Sequence, residues 1–200
     1  MKILTLVTIG SYLDIEVIQS VIKQGFEGEN DILLCPYNPF STVRPDWGQN
    51  IVLKQNKAKE IVLKHNYTHL FSVEADVLIP ANTLTRLLFD NKDVVCGIYK
   101  LHSHSDSLKG TIAAFRKEDK IYVSIEAGKD FNWGEVIEVD FLPFGCTLIK
   151  REVLENIDFG IGLDAEFSMN CKNKDFKLWA DTGIVCAHIN YYENTVGCTD

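Results

Sequence analysis

The chain has 200 residues, of which 46% are hydrophobic and 24% are charged, and its formal net charge is −8. This length and composition are typical of one globular domain. The acidic balance argues against a nucleic-acid or anionic-membrane surface, because both require clustered Lys and Arg. No apolar run approaches the roughly 20 residues of a membrane span, so we expect no transmembrane segment and a cytoplasmic location.

The first half of the chain alternates between strand and helix patterns. Short apolar runs rich in β-branched residues predict strands at residues 3–9, 31–35, 70–73 and 93–99. Apolar residues repeat at helical spacing between these strands, at about 15–25, 50–64 and 84–88. The first apolar run, residues 3–9, is too short for a signal peptide and lacks a small-residue cleavage site. This alternation predicts an α/β fold with a mostly parallel sheet flanked by helices.

The second half has a different pattern. Residues 101–110 are polar and predict a loop, and residues 111–116 and 120–126 predict an antiparallel hairpin. Further strands are predicted at 136–142, 146–149 and 179–188, with helices at 151–156 and 164–173. No linker or repeat separates the halves, so we predict a single domain over residues 1–200 with a small antiparallel sheet in its second half.

Two carboxylates, Glu74 and Asp76, directly follow the third predicted strand. Residues i and i+2 of an extended chain point to the same side, so we expect both carboxylates to face one point. That point lies at the carboxyl edge of the sheet, where open α/β sheets bind ligands. Two oxygen ligands there suit Mg²⁺ or Mn²⁺ holding a diphosphate. The alternative is that the acids only solvate the end of a strand.

The six cysteines are scattered, and no two form a Cys-x-x-Cys pair. This spacing argues against a structural zinc site. We expect the cysteines to be reduced, small residues of the core.

Several short segments, in this order, resemble the GT-A glycosyltransferases, particularly compact members of the family-2 type. The segments are Asn56-Lys57-Ala58, the strand and acid pair at 68–76, Pro80, the Leu-rich helix at 84–88, the strand at 93–99, and residues 144–154, 163–167 and 181–188. Three positions depart from the family pattern. Glu74 stands where Asp is commoner, Leu163 stands where an acid is usual, and Gln55 replaces a frequent Arg.

The resemblance implies a GT-A fold with a nucleotide-binding half, residues 1–100, and an acceptor-binding half, residues 101–200. It implies transfer of a sugar from a nucleotide-diphosphate sugar to an acceptor, with Mn²⁺ or Mg²⁺ as cofactor. The base position at Asp164 favours inversion at the anomeric carbon. The acceptor is left open between a protein, a lipid and a saccharide.

The resemblance also implies roles for individual residues. Asp76 would be the direct metal ligand and His188 a second one, while Glu74 would reach ribose or water on the metal. Asp164 would be the general base, with Glu166 in reserve. The remaining candidates are expected near the nucleotide: Thr8, Gly10, Tyr12 and Asn56.

Structural interpretations of the same residues remain open. His188 could be an ordinary core residue, and Asp164 could be a helix N-cap. The pattern His102-Ser103-His104 lies in the polar loop, which is either solvated or a lid over the donor. Trp133 would stack on an acceptor sugar or pack in the core.

Two rival functions remain. A nucleotidyltransferase also pairs acids with Mg²⁺ beside an α/β sheet, but its Gly-rich basic loop is absent near residue 10. The other rival is a non-catalytic nucleotide-sugar-binding protein or a structural viral protein on the same fold, located in the host cytoplasm. The departures at Glu74 and Leu163 leave this second rival open, and donor turnover distinguishes it from an enzyme.

Overall fold

The structure is a computed structural model that describes residues 1–10, 12–40, 47–101, 111–119 and 121–189. The helices in these ranges are α1 (Ile15–Ile22), α2 (Trp47–Lys64), α3 (Thr83–Asp90), α4 (Arg151–Asn156) and α5 (Leu163–Asn173). The strands are β1 (Lys2–Thr8), β2 (Glu29–Cys35), β3 (His69–Glu74), β4 (Val77–Leu78), β5 (Val94–Ile98), β6 (Phe115–Glu118), β7 (Ile121–Ser124), β8 (Val136–Val139), β9 (Cys146–Lys150), β10 (Leu178–Val185) and β11 (Ala187–His188).

Seven strands form the central sheet in the order β2-β1-β3-β9-β5-β10-β8. Strands β1, β2, β3, β5 and β10 run in one direction, and β8 and β9 run in the other. The predicted mostly parallel sheet is therefore confirmed. Strand β9 comes from the second half of the chain but lies between β3 and β5, so both halves build one sheet.

Two small antiparallel sheets stand beside the central one. Strands β6 and β7 form the predicted hairpin, and β4 pairs with β11. The predicted strands at 136–142, 146–149 and 179–188 largely belong to the central sheet instead, as β8, β9 and β10. Local periodicity identified these strands but carried no information about their partners.

The core consists of two apolar layers, one on each face of the sheet. Alternate strand residues face opposite sides: Leu4 and Leu6 pack with α2, α4 and α5, while Ile3 and Val7 pack with α1 and α3. The predicted helical cover on the sheet is thus confirmed. Among the described helices, none has both the length and the apolar character that a membrane crossing requires.

Candidate active site

The candidate site lies where β1 and β3 end side by side. Thr8 and Glu74 are partners in the parallel ladder, and the Ala75 N–H donates to the Thr8 carbonyl at 3.2 Å. A cavity of about 400 Å³, here called the first cavity, opens at this edge. Its lining includes Thr8, Gly10, Tyr12, Glu74 and Asp76. The structure therefore brings five of the candidate residues from the sequence around one space.

The two acids reach this space by a turn and not by one extended strand. Strand β3 ends at Glu74, and Ala75 and Asp76 form a turn before β4. The expectation that Glu74 and Asp76 share one face of a strand is therefore wrong in its geometry. The turn is held by pairing of β4 with β11, which carries His188 opposite Val77. This contact joins segments that are distant in sequence and places His188 beside Asp76.

Glu74 lies at the centre of a cluster of like charges. Burial raises the pKa of Glu74 to about 8, and the charges of Asp76 and Asp164 act in the same direction. The nearby His188 and a hydrogen bond from the Tyr99 hydroxyl act in the opposite direction. We call Glu74, Asp76 and Asp164 the carboxylate cluster. Burial and the neighbouring negative charges therefore favour the protonated, neutral form of Glu74 at neutral pH.

His188 faces Asp76 with one ring nitrogen and the backbone with the other. Nε2 lies 3.3 Å from an Asp76 carboxylate oxygen, and Nδ1 lies 3.3 Å from the Lys100 carbonyl oxygen. Burial lowers the pKa of His188, but the contact with Asp76 and the charge of Glu74 raise it overall. If Nδ1–H donates to the carbonyl, a neutral ring turns its Nε2 lone pair toward Asp76. The raised pKa of His188 favours a proton between the two groups, and a metal ion could take the same place, since metal-binding His residues also bond a backbone carbonyl with their second nitrogen.

The donor set is suited to a metal ion but does not complete its coordination. Within the described ranges, no group of three or more His, Cys, Asp or Glu side chains is arranged to hold an ion. Asp76 and His188 supply one oxygen and one nitrogen, a combination that suits Mn²⁺ better than Mg²⁺. The remaining ligands would have to come from a bound diphosphate and water.

Asp164 and Glu166 both lie in the first turn of α5 but have different surroundings. Burial raises the pKa of Asp164 to about 6, although hydrogen bonds from backbone N–H groups of Asp164 and Ala165 act against this rise. The Glu166 carboxylate instead accepts a hydrogen bond from the Gly162 N–H at 2.8 Å. A Cβ on Gly160 would lie 2.2 Å from that carboxylate, so the loop is closed around Glu166.

Asn56 is engaged by the protein backbone. Its side-chain amide donates to the Phe159 carbonyl at 2.8 Å and accepts from the Phe159 N–H at 3.3 Å. It is not among the residues that line the first cavity. The predicted pattern His102-Ser103-His104 and its loop up to Gly110 lie outside the described residues.

Lys54 is a residue of the first cavity that the sequence analysis missed. Its side chain is only 1% exposed, and its ammonium group donates to the Ile9 carbonyl and to Asn38 Oδ1. Burial lowers the pKa of Lys54, and the nearby Cys35 acts in the opposite direction. No carboxylate in the described part of the chain pairs with Lys54. The sequence did contain a clue to the burial of Lys54, namely its helical spacing. The buried face of α2 includes Asn50, Lys54, Ala58 and Val62, which follow one another at intervals of four residues.

Comparison with known proteins supports the fold. No protein-family model and no curated protein sequence matches the chain. The crystal structure of A197 from STIV shares 21% identity, covers 95% of this chain and 86% of its own, and has a TM-score of 0.62. The crystal structure of GalNAc-T7 with UDP, GalNAc and Mn²⁺ shares 11% identity, covers 95% of this chain and 44% of its own, and has a TM-score of 0.58.

These likenesses show the fold, and the predicted GT-A fold is confirmed. The chain spans less than half the length of the GalNAc-T7 chain. Its short length and scattered cysteines also resemble the glycosyltransferase-like protein of an archaeal virus, the Sulfolobus turreted icosahedral virus. The similarity to A197 from STIV agrees with this resemblance at the level of the fold.

Proposed function

We propose that this chain is a metal-dependent glycosyltransferase that moves a sugar from a nucleotide-diphosphate sugar to an acceptor. The observation that carries the proposal is the position of the carboxylate cluster and His188 beside the first cavity, at the carboxyl edge of β3. The lining of the first cavity includes both Asp76 and Lys54, so a nucleotide diphosphate bound there would meet a metal-binding carboxylate and a buried cation.

Each residue has a distinct task in the proposed reaction. Asp76 and His188 would hold a divalent ion, which when bound would act as a Lewis acid and stabilise the leaving diphosphate. Thr8, Gly10 and Tyr12 form the wall along the nucleoside. Glu74 is held by a hydrogen bond from the Tyr99 hydroxyl and would reach the ribose or metal-bound water.

Asp164 completes the reaction as general base. The acceptor oxygen forms a bond to the anomeric carbon while the bond from that carbon to the diphosphate oxygen breaks. The acceptor's proton passes to Asp164, and the nucleoside diphosphate leaves with the bonding electrons. Burial supports this role, because the raised pKa of Asp164, about 6, makes it a better base than an exposed Asp. An acceptor attacking from the face opposite the leaving group gives inversion.

Two further observations support the proposal. The capping contact of Glu166 with Gly162 favours Asp164 over Glu166 as the base. GalNAc-T7, whose fold this chain shares, was solved with UDP, GalNAc and Mn²⁺. This supports a nucleotide-sugar donor and Mn²⁺ for this chain as well.

Donor turnover tests the proposal. The chain is incubated with UDP-, GDP- and dTDP-sugars and Mn²⁺, and release of nucleoside diphosphate is measured with and without mixed acceptors. We expect release from at least one donor, with Asp76→Asn inactive. Donor binding without any turnover would favour the non-catalytic sugar-nucleotide-binding protein, and release of pyrophosphate from a nucleoside triphosphate would favour the nucleotidyltransferase.

A further inference from the structure

A second cavity of about 460 Å³ lies beside the first one and has no role in the proposed chemistry so far. Its walls come from the ends of β5 and β10, from the segment after β7, and from Trp133. The volume lies in the range of small-molecule sites, about 300–1,000 Å³. Its floor is apolar, formed by Ile98, Ile112 and Ile125.

Tyr99 and Lys100 connect this second cavity to the carboxylate cluster. Tyr99 lines the second cavity, its hydroxyl bonds to Glu74 of the first cavity, and its ring meets the His188 ring edge-on at 5.3 Å. Lys100 also lines the second cavity, and its carbonyl oxygen contacts His188 Nδ1. A molecule in the second cavity would therefore stand next to the residues proposed to hold the donor.

Trp133 gives the second cavity an aromatic platform. Trp133 is 61% exposed, whereas the neighbouring Phe131 is 3% exposed. The two rings meet at 5.3 Å and 89°, so the edge-on contact fixes the indole without covering both of its faces. The C–H face of a sugar ring packs well on such an indole face, because the face carries the negative end of the ring quadrupole.

The rim of the cavity adds hydrogen-bonding groups of both kinds. Glu126 and Lys100 are exposed residues of the lining. Within the described residues neither side chain takes part in an ion pair. A carboxylate accepts and an ammonium donates hydrogen bonds, and sugar hydroxyls do both. A lipid chain, by contrast, would bring nothing to pair with these charges.

We propose that the second cavity binds a saccharide, and that this saccharide is the acceptor of the transfer. One ring stacks on Trp133, and its hydroxyls reach Glu126 and Lys100. The next ring, past Tyr99, presents its hydroxyl to the anomeric carbon of the donor. The acceptor assignment rests on the proposed function, whereas the saccharide site stands on the cavity alone.

Saturation-transfer NMR on the full chain tests the inference with maltose, lactose, cellobiose and chitobiose as saccharide probes, and with n-octanol as an apolar probe. We expect at least one disaccharide to receive saturation and n-octanol to receive none. Trp133→Ala should weaken that disaccharide's binding by about tenfold or more, the loss of one aromatic contact. Trp179→Phe is the matched control, because Trp179 packs under Lys92 elsewhere on the sheet. The Trp179→Phe variant should bind the disaccharide as well as the unmodified chain does.

The outcomes separate the two proposals. Binding of n-octanol with no disaccharide, or equal disaccharide binding by Trp133→Ala and the unmodified chain, would overturn the saccharide site. UDP binding in Mn²⁺ is measured on the same samples and should be unchanged by Trp133→Ala. GDP and dTDP are titrated in the same way, and failure of the unmodified chain to bind any of the three nucleotides in Mn²⁺ would refute the proposed function, and with it the acceptor assignment. Disaccharide binding lost in Trp133→Ala would still support the saccharide site.

Discussion

Asp164 is the residue on which the proposed chemistry depends most directly. Asp164→Asn should leave donor binding nearly intact, because the metal and nucleotide contacts lie on other residues. Transfer should fall by about 10²–10⁴-fold, the usual contribution of a positioned base. Initial rates with saturating donor provide the measurement. Glu166→Gln is the control: its amide oxygen can still accept from Gly162, so most activity should remain. The reverse ranking of these two variants would assign the base to Glu166.

The same residue predicts the pH dependence of transfer. Asp164 must be unprotonated to accept a proton, and burial raises its pKa to about 6. Its active form is therefore lost as pH falls through about 6, and kcat/KM should drop about tenfold for each further pH unit. A profile of kcat/KM from pH 4.5 to 8 measures this. A kcat/KM that stays constant between pH 7 and about pH 5 would instead mean that the base is an exposed carboxylate with an ordinary pKa.

Lys54 predicts a metal-independent contribution to binding. Its ammonium group is buried, poorly screened by water and without a carboxylate partner in the described residues. Lys54→Met should therefore weaken UDP binding by about tenfold in EDTA as well as in Mn²⁺. Calorimetry provides the comparison, with Lys57→Met as control because Lys57 lies in the same helix but pairs with Glu60 on the surface. An effect seen only with Mn²⁺ would contradict a direct role for Lys54.

At the scale of the secondary structure elements, Gly97 allows β5 to fit between β9 and β10. A Cβ on Gly97 would lie 2.6 Å from Ile184 Cγ2, 3.1 Å from Cys146 Sγ and 3.2 Å from Cys186 Sγ. Gly97→Ala should therefore lower the free energy of unfolding by about 1–3 kcal/mol, the typical effect of overpacking a core. Urea titration measures the change. Gly10→Ala should be close to neutral, because no atom lies within 4 Å of its Cβ position. Equal stability of both variants would contradict this packing.

Most elements could be predicted from the sequence, because apolar periodicity reflects burial directly. The helix α4 at Arg151–Asn156 and the strand before Glu74 are examples. The insertion of β9 between β3 and β5 could not be predicted, since pairing between distant strands leaves no local pattern. Strand β11 is only two residues long, and a register shift in β10 between Asp181 and Val185 precedes it. The contact of His188 with Asp76 depends on both features, so only the family resemblance indicated it.

At the scale of the whole molecule, one sheet edge gathers opposite charges around one cavity. Glu74, Asp76 and Lys54 all line the first cavity, while Asp164 acts on Glu74 and His188 contacts Asp76. Together they predict a ligand that binds through a divalent ion and also carries its own negative charge. A nucleoside diphosphate meets both requirements, whereas a neutral sugar alone meets neither. This complementarity depends on residues from β3 and the turn after it, from α2, from α5 and from β11, and so on the intact domain.

Calorimetric titration of UDP and GDP into the chain, in Mn²⁺ and in EDTA, tests the central claim most directly. Asp76 and His188 are too few to hold an ion alone, so the ion and the nucleotide should bind together. At least one nucleotide should therefore bind at least about tenfold more tightly in Mn²⁺ than in EDTA, and Asp76→Asn should lose this gain while its affinity in EDTA stays the same. Equal affinities of the unmodified chain in Mn²⁺ and EDTA would contradict the metal-dependent donor site.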